Sequence, residues 1–516
     1  MAWILLPLCL LFGLFLRTRH FDYELTSHHS WRQAHVASNI FFLLKNGYGL
    51  KMQEFNKTQR EKIFDGPLYQ NLVAAVCRAT GSRIVPAARL VNLFTYIGLC
   101  LTLFFILVEI RVSVWTGLAT VFLYSASPLT VYYDRAVIPD NLATLLAFLS
   151  LLGYLRCTHW SGPGQARSMF WYALMVIAGV AATFIKSPVM FPVALTIVAH
   201  CCIFRSWRDL LDHHMLSFFT ILLMTVVVFT AYSNYVNFGS FHTPDYKWSW
   251  YFSDLQGRMQ LAPYRELIRR MHSVLVPPAA FGFSVLGLFL LLLGSNRRQY
   301  SMILILLASS IITSLVFFNV HQIHDYYQIP FVFVMCACAA IFISEVWKLV
   351  LSGRPSPRRS LICHVALAIS MIALVSISYY PNRIAFNVDP RIQEAGRFIR
   401  AHTPSDGCVF YVIEKSESNS EAVLDPSYLW YARREGYMLH DEQCRSPKLA
   451  RLSAQYFKTA RQVFLFVPKG DDSLIEGDVE NSFPRIVARS DAGVLYTSTN
   501  HSTAKALSRS RTDRRS

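Results

Sequence analysis

Long apolar runs follow one another through the first 380 residues of this chain, and they constrain its fold more than any other feature. About 20 consecutive apolar residues form a helix that can cross the hydrocarbon core of a bilayer. Only 16% of the residues are charged, whereas an ordinary soluble protein carries about 25%. We therefore predict a mainly α fold, a polytopic membrane helical bundle of about 11 spans near residues 2–16, 86–110, 113–133, 141–156, 169–186, 188–204, 214–234, 274–294, 301–319, 330–350 and 362–380.

Lys186, Ser187 and Pro188 interrupt the apolar run between 169 and 204. A proline in a helix interior removes a backbone hydrogen bond and clashes with the preceding turn. The segment is therefore either a hairpin of two helices or one helix broken at this point, and the sequence leaves both open.

The basic residues of the loops predict the orientation of the chain, because cytoplasmic loops of membrane proteins are enriched in Lys and Arg. If the N-terminus is cytoplasmic, the short outer loops contain only Arg135 and Lys186, and five further basic residues fall in the longer outer loop 235–273. We therefore predict a multi-pass protein of the plasma (inner) membrane, with segments 17–85, 235–273 and 381–516 outside. The short inner loops would hold Arg111, Arg156, Arg167, Arg205, Arg208, Arg297, Arg298, Lys348, Arg354, Arg358 and Arg359.

The excess of 49 Lys and Arg over 32 Asp and Glu has a simple explanation in a membrane protein. Basic loops hold the topology and face anionic lipid. We therefore expect membrane lipids as partners and no nucleic acid.

The first outer segment begins with an unusually dense polar cluster, Asp22–Gln33, which contains Glu24, two imidazoles, an arginine and a tryptophan. Apolar residues from Trp31 to Leu44 have the spacing of an amphipathic helix that lies in the membrane interface, and Gly47 ends it. A second helix is predicted after Gly66, with Pro67 in its first turn and Tyr69 and Gln70 following.

Two more charged motifs fall on the predicted outer side. The first, Tyr132–Asn141, contains Asp134 and Arg135. Ionisable groups near a bilayer edge are costly unless they pair with an opposite charge or face a water-filled cavity. Its Asp140 either caps the helix that follows or belongs to a site. The second motif, His321–Pro330, combines a His-Asp pair with two tyrosines.

Together these motifs resemble the bacterial branch of the dolichyl-phosphate-mannose protein mannosyltransferase and aminoarabinose transferase-like family, which belongs to the GT-C superfamily. The likeness covers about 20–350 and rests on the order of five motifs: His29-Ser-Trp31-Arg32-Gln33, Gly66-Pro67-Leu68-Tyr69-Gln70, Arg89-Leu-Val, Ser127-Pro128 with Tyr133-Asp-Arg135 and Pro139-Asp140, and His324-Asp-Tyr-Tyr327. The resemblance implies a GT-C bundle and transfer of a sugar from a polyprenyl-phosphate donor to a lipid, glycan or protein acceptor at the outer membrane face. It also implies an essential carboxylate in the first outer loop, where the common Asp-Glu pair is replaced by Asp22-Tyr-Glu24.

An inverting transfer needs a base for the acceptor proton and cations for the departing phosphate. Asp22 is our first candidate for the base, ahead of Glu24 and Asp140, although Asp22 could instead form a surface ion pair with Arg17 or Arg19. Arg32, Arg135 and Lys186 are the candidate phosphate ligands, because Arg supplies a bidentate fork and Lys a point charge. The candidate substrate-binding residues are His29, Trp31, Gln33, Tyr69, Gln70, Asp134, His324, Asp325, Tyr326 and Tyr327.

No cofactor is required by this chemistry, but a divalent metal ion is an open alternative. His28, His29, His35 and Asp22 are its candidate ligands, although their spacing matches no standard metal motif. The sequence also contains no GxxxxGK[ST] phosphate loop, which disfavours a soluble nucleotide-sugar donor.

The predicted domains are 1–380, a transmembrane glycosyltransferase domain, and 381–499, a small extracytoplasmic α/β domain. The second is predicted from strand-like runs at Cys408–Ile413, Val463–Val467, Arg485–Ala488 and Val494–Thr497, with helices at Arg391–His402 and Lys448–Ala460. A basic tail, 500–516, is predicted to be disordered.

Two other classes of protein remain open. A secondary transporter also combines broken spans with charge, but it places that charge near the bilayer midplane and shows repeat symmetry. A non-catalytic assembly protein with an extracytoplasmic domain is the third alternative.

Overall fold

The computed structural model describes residues 2–18, 21, 25, 28–57, 65–159, 165–236, 250–293, 297–351, 373, 390–413, 425–439, 462–469 and 483–498. Its internal contacts divide the chain into two units. The first contains Met1–Asp22 and Ile63–Phe386, and the second contains Tyr23–Lys62 and Asn387–Ser516. Most of the first outer segment therefore belongs to the same unit as the C-terminal domain.

The first unit is helical. Its helices are α1 (Ala2–Thr18), α3 (Leu68–Thr80), α4 (Ile84–Glu109), α5 (Val114–Ala126), α6 (Pro128–Tyr133), α7 (Asp140–His159), α8 (Gln165–Phe204), α9 (His213–Val236), α10 (Leu255–Met259), α11 (Leu261–Arg270), α12 (Pro278–Leu293), α13 (Arg297–Val316), α14 (Phe318–Ile323) and α15 (Ile329–Leu351); α2 belongs to the second unit. A π-helical turn, Met271–Leu275, follows α11, and 3₁₀ turns lie at Trp207–Leu211 and Asp325–Gln328.

Close helix packing explains where small residues occur in this unit. A Cβ atom added to Gly287 of α12 would lie 1.9 Å from the carbonyl oxygen of Cys338 in α15, so only glycine permits this approach. Phe148 of α7 and Phe333 of α15 meet edge to face at 5.4 Å between ring centroids. Buried apolar residues of α4, α5, α7 and α15 belong to one continuous core.

The chain reverses direction inside α8, at Lys186, whose φ of −161° and ψ of 93° are not helical. Before this point, Met175 accepts a hydrogen bond through its carbonyl oxygen from Ser150 of α7, at 2.8 Å. After it, the Tyr154 hydroxyl lies 2.8 Å from His200 Nδ1. Two points of α8 that are 25 residues apart thus contact one short stretch of α7, which a continuous helix cannot do because it rises about 1.5 Å per residue. The hairpin alternative is therefore the one observed.

Among the residues that the structure describes, four helices are long and apolar enough to cross a membrane, namely α4, α8, α9 and α15, with α8 counted as one stretch across its reversal at Lys186. The number becomes five if the bent pair Leu261–Leu275 and Ala280–Leu293 is one span. Shorter apolar helices, within α1, α5 and α13, overlap three more of the predicted spans. The protein is thus mainly helical with several apolar helices, while the predicted count of about 11 spans is not confirmed and the run 362–380 lies outside the described residues, apart from residue 373.

The second unit is built on a five-stranded mixed sheet in the order β2-β1-β3-β5-β4. The strands are β1 (Cys408–Val412), β2 (Glu435–Leu439), β3 (Val463–Pro468), β4 (Arg485–Ser490) and β5 (Gly493–Thr497), and the helices are α2 (Ser30–Asn46), α16 (Pro390–His402) and α17 (Ser427–Ala432). β1 is parallel to β2 and β3, whereas β5 is antiparallel to β3 and β4. The four predicted strands and the first predicted helix are confirmed. β2 and α17 were missed, and the predicted helix 448–460, the boundary at 381 and the tail 500–516 lie outside the described residues.

Helix α2 has the predicted extent and ends at Gly47, but its surroundings differ from the prediction. An amphipathic interfacial helix would expose its polar face, whereas here Arg32, Gln33, His35 and Asn39 are all buried. Buried polar groups need hydrogen-bond partners, and Ser38 and Asn39 donate to carbonyl oxygens one turn back. α2 is therefore a packed helix of the second unit.

Candidate active site

A buried ion pair between Lys186 and Asp140 is the centre of the candidate site. Lys186 Nζ lies 2.5 Å from Asp140 Oδ1, and both side chains are at most 3% exposed. Asp140 is the first residue of α7, and Lys186 lies at the reversal of α8. The ammonium also lies over the rings of Tyr326 and Tyr327, at 4.4 and 4.3 Å from their centroids. The electron-rich ring faces add to the attraction of the carboxylate for this cation.

The same carboxylate retains an acceptor that the described residues do not use. Asp140 Oδ2 is buried and has no hydrogen-bond partner among them, and neither have the two side-chain polar atoms of Asn141. Most buried polar atoms in proteins are hydrogen-bonded, so such exceptions call for an explanation. Three unpaired polar atoms beside a charged pair are suited to receive a polar ligand.

Aromatic residues connect this pair to the motif near residue 325. The Tyr133 hydroxyl donates a hydrogen bond to Asp325 Oδ1, and its ring meets the Tyr326 ring at 5.6 Å in a T-shaped contact. His324 stacks on Tyr326 at 5.0 Å with an interplanar angle of 10°. The structure thus brings together five residues predicted from the sequence, namely Asp140, Lys186, Asp325, Tyr326 and Tyr327, with His324 beside them. Tyr133 was not predicted as a site residue, although it lies in one of the quoted motifs.

A second buried ion pair, Arg17–Asp134, has a different character. Arg17 Nε donates to Asp134 Oδ2 at 2.7 Å, and the guanidinium also donates to Thr130 Oγ1 and to backbone carbonyl oxygens, including that of Ser125. Its carbon Cζ lies 3.8 Å from the centroid of the Tyr96 ring. Both charged side chains are fully buried. This dense bonding supports a structural role for Arg17. Asp134 Oδ1, in contrast, is buried and has no hydrogen-bond partner among the described residues, so the substrate contact of Asp134 stays a prediction. Arg17 pairs with Asp134, whereas the alternative pairing of Asp22 with Arg17 or Arg19 involves a residue outside the described ranges.

The remaining predicted residues of the helical unit are buried near its loops. Arg135 lies over the ring of Tyr132 at 6.0 Å, and Tyr69 and Gln70 lie in the first turn of α3. Arg89, which the prediction did not assign a role, donates a hydrogen bond to the carbonyl oxygen of Phe21. Phe21 directly precedes Asp22 in the chain, so Arg89 fixes the backbone beside the predicted base.

Four of the predicted catalytic and substrate-binding residues that the structure describes belong to the second unit. His29 is left-handed (φ 53°) before the start of α2, and Trp31 is half-buried. Arg32 and Gln33 are buried in the first turn of α2, where Gln33 Nε2 donates to the carbonyl oxygen of His28 at 3.3 Å. Asp22 and Glu24 lie outside the described residues.

The predicted metal ligands are only partly described. His35 Nδ1 lies 2.6 Å from Glu54 Oε2, so this nitrogen already has a partner. Within the helical unit, Asp212, His213 and His214 bring three ligand atoms within 4.8 Å of one another. They are consecutive residues, and His213 is 80% exposed, a donor set that lacks the enclosed geometry of resident metal sites.

In its fold the chain is similar to membrane glycosyltransferases of the GT-C superfamily, which confirms the predicted resemblance at the level of the fold. One such structure is ArnT from Cupriavidus metallidurans bound to undecaprenyl phosphate, with a TM-score of 0.66 and 12% identity over 97% of this chain and 98% of that one. Another is the oligosaccharyltransferase of Archaeoglobus fulgidus in the apo form, with a TM-score of 0.62 and 12% identity over 97% of this chain and 75% of that one. No protein-family model and no curated protein sequence matches the chain.

Proposed function

We propose that this protein is a membrane glycosyltransferase that moves a hexosyl or pentosyl group from a polyprenyl-phosphate donor to an acceptor at the outer face of the membrane, by an inverting mechanism. The observation that carries the proposal is the buried Lys186–Asp140 pair with its aromatic wall, in a chain with the GT-C fold. The similar ArnT was solved with undecaprenyl phosphate, and the Archaeoglobus enzyme AglB with a dolichol-phosphate. Both ligands are polyprenyl phosphates.

Lys186 is suited to hold the phosphate of the donor. When the glycosidic bond breaks, its electrons leave with the phosphate, and a preorganised cation stabilises the developing charge best where water is excluded. Asp140 holds the ammonium in place through Oδ1 before the donor arrives. A donor phosphate that approaches Lys186 then meets an ammonium group whose position Asp140 has already fixed. Arg32 and Arg135 are proposed as further phosphate ligands.

The acceptor needs a base that removes the proton of its attacking group. We propose Asp22 for this role, with Glu24 and Asp140 as alternatives. The hydrogen bond from Arg89 to the Phe21 carbonyl supports Asp22, because a base must be held in position. The unpaired Oδ2 of Asp140 supports Asp140 in the same way. The proposed substrate-binding residues are His29, Trp31, Gln33, Tyr69, Gln70, Asp134, His324, Asp325, Tyr326 and Tyr327.

Purified protein in lipid tests the proposal directly. We expect transfer of labelled sugar from an undecaprenyl-phosphate-linked donor to a lipid, glycan or peptide acceptor, and loss of transfer in Lys186→Met. Lys348→Met, at an exposed site at the end of α15, is the matched control. Uptake of the labelled compound into vesicles without transfer would instead support a transporter.

We further propose that the protein lies in the plasma membrane with a cytoplasmic N-terminus and an extracytoplasmic C-terminal domain. The asymmetry of the loop arginines supports this orientation. A reporter fused to the C-terminus that is active only in the cytoplasm would contradict it.

A divalent metal ion is a subsidiary proposal, and an AglB structure in complex with Zn and sulfate supports it. Transfer that survives exhaustive chelation would exclude it.

A further inference from the structure

We propose that the C-terminal domain is the platform that positions residues 25–57 of the first outer segment, and that Tyr431 is the positioning residue nearest the proposed bases. The inference rests on the proposed function, because the segment follows Asp22 and Glu24 directly in the chain and carries Arg32. It assigns a catalytic purpose to a domain that contains none of the proposed reacting groups.

The outer segment extends the sheet of the C-terminal domain at its edge. Gly436 of β2 donates its N–H to the carbonyl oxygen of Phe55 at 2.9 Å and accepts from the N–H of Lys57 at 2.6 Å. Asn56 and Gly436 form a parallel bridge, and Lys57 Nζ lies 3.3 Å from a Glu435 carboxylate oxygen. Since β2 is the edge strand of the sheet, this pairing satisfies backbone groups that would otherwise be open to another chain.

Aromatic and cationic side chains fix the register of this pairing. The Phe55 ring lies 6.1 Å from the Trp430 ring of α17 and 5.0 Å from the Phe41 ring of α2. The Arg433 guanidinium lies 3.4 Å above the Trp430 ring and 5.6 Å from Phe41. Trp430 is 2% exposed and Phe55 also 2%. A stack that alternates between the outer segment and the domain resists sliding of one along the other.

The same segment is tied internally to α2, so that docking of the strand also places the helix. His35 of α2 and Glu54 form a buried pair at 2.6 Å. Phe42 packs on Phe55 at 5.2 Å. Arg32 lies in the first turn of this helix, three residues before His35, and its position therefore follows the position of residues 54–57.

Tyr431 reaches the part of the segment closest to the proposed bases. Its hydroxyl oxygen accepts a hydrogen bond from the backbone N–H of Leu25 at 2.7 Å. Leu25 is 1% exposed, so this N–H loses its partner in a buried position if the hydroxyl is removed. Leu25 directly follows Glu24 in the chain, so this hydrogen bond fixes the backbone just after the two proposed bases. The hydrogen bond from Arg89 to Phe21 fixes the backbone just before them.

The experiment compares Tyr431→Phe with the wild type as full-length protein in lipid nanodiscs. Two quantities are measured: the hydrogen-exchange rate of the segment that contains Leu25, and kcat and KM for an undecaprenyl-phosphate-linked sugar. We expect at least about tenfold faster exchange and an about tenfold lower kcat at unchanged donor KM, as for the loss of one buried hydrogen bond that positions a reacting group. Tyr496→Phe in β5 removes a hydroxyl from the same domain and should change neither quantity.

Faster exchange with a normal kcat overturns the inference, because the segment would then be held without any effect on catalysis. Unchanged exchange overturns it as well, because Tyr431 would not hold the segment. If the wild-type protein transfers no sugar from any polyprenyl-phosphate donor, the proposed function is wrong. In that case slow exchange of the Leu25 segment, accelerated by Tyr431→Phe, still supports the docking.

Discussion

Lys186 at the reversal of α8 pairs with Asp140 at the start of α7, with 2.5 Å between Lys186 Nζ and Asp140 Oδ1. The other carboxylate oxygen, Oδ2, has no hydrogen-bond partner among the described residues. Removing one member of a buried ion pair costs about 3 to 5 kcal/mol, because the other charge stays buried without compensation. We therefore expect Lys186→Met and Asp140→Asn each to lower the unfolding temperature in detergent. The double variant should regain most of this stability.

Transfer activity separates the structural from the catalytic role of this pair. In the double variant Asp140→Asn/Lys186→Met, transfer should stay at least about a hundredfold below the wild type, because the cation for the departing phosphate is missing. A double variant that is both stable and active would show that the pair serves the fold alone.

The Arg17–Asp134 pair leads to a separate expectation. Both groups are fully buried, and the Arg17 guanidinium also donates to Thr130 and to backbone oxygens, so Arg17→Met should destabilise the protein by about 3 to 5 kcal/mol. The double variant Arg17→Met/Asp134→Asn should recover stability, and its rate of transfer in lipid then tests the predicted substrate contact of Asp134. Thermal unfolding and a transfer assay on the same preparation measure both, and a stable and fully active double variant would remove Asp134 from the substrate-binding residues.

Arg32→Lys keeps the charge but loses the bidentate fork that matches a phosphate. We expect the KM for the donor to rise by roughly tenfold, the effect of about 1.4 kcal/mol of lost binding. Arg135→Lys should act in the same direction. The control is Arg208→Lys, at an exposed position of the 3₁₀ turn Trp207–Leu211. Full turnover of both variants at low donor concentration would remove these arginines from the phosphate site.

Asp22→Asn keeps the shape of the side chain and removes the basic oxygen. We expect kcat to fall by at least about a hundredfold while undecaprenyl phosphate still binds, in line with the size of general-base effects. Glu24→Gln and Asp140→Asn are the comparison variants. Near-normal turnover in Asp22→Asn with loss in one of the others would move the base to that residue, and normal turnover in all three would leave the mechanism without a base.

The pKa of the Asp425 carboxyl is raised above its ordinary value of 3.8 by burial and, to a smaller degree, by the charge of Glu54. The folded state therefore favours the protonated form, so this group stabilises the fold increasingly as the pH falls from above the raised pKa toward 3.8. Asp425→Asn should slow hydrogen exchange in β2 at neutral pH, and the difference from the wild type should shrink on acidification. Asp491→Asn, at a fully exposed turn position, should show no such pH-dependent difference.

Local signals in the sequence predicted local structure well. Gly47 ends α2 where expected, and the alternating apolar runs located four of the five strands. The missed strand β2 contains Gly436, and glycine is depleted in strands. Here glycine is required, because a Cβ atom would lie 1.8 Å from the carbonyl oxygen of Val409 on the neighbouring strand. A requirement imposed by a strand far away in sequence leaves no local signal.

The candidate site was predicted in composition but not in pairing. Asp140, Lys186 and the two tyrosines were singled out because charge beside a bilayer needs a reason. No local pattern pairs Arg17 with Asp134, 117 residues away, and the alternative of an ion pair with Asp22 rested on nearness in the chain alone. Pro188 signalled a break in α8, but the angle of the reversal follows from packing against α7.

The hydrogen bond between Leu25 and Tyr431 joins residues that are 406 positions apart in the chain. At a synthesis rate of about 5 to 20 residues per second, roughly 20 to 80 s pass between the appearance of the first and that of the second. During this time the first outer segment lacks its partner, while the helices that follow it in the chain are already being made. The segment that we propose to carry catalysis is thus among the first parts of the protein to be made and among the last to reach its folded position.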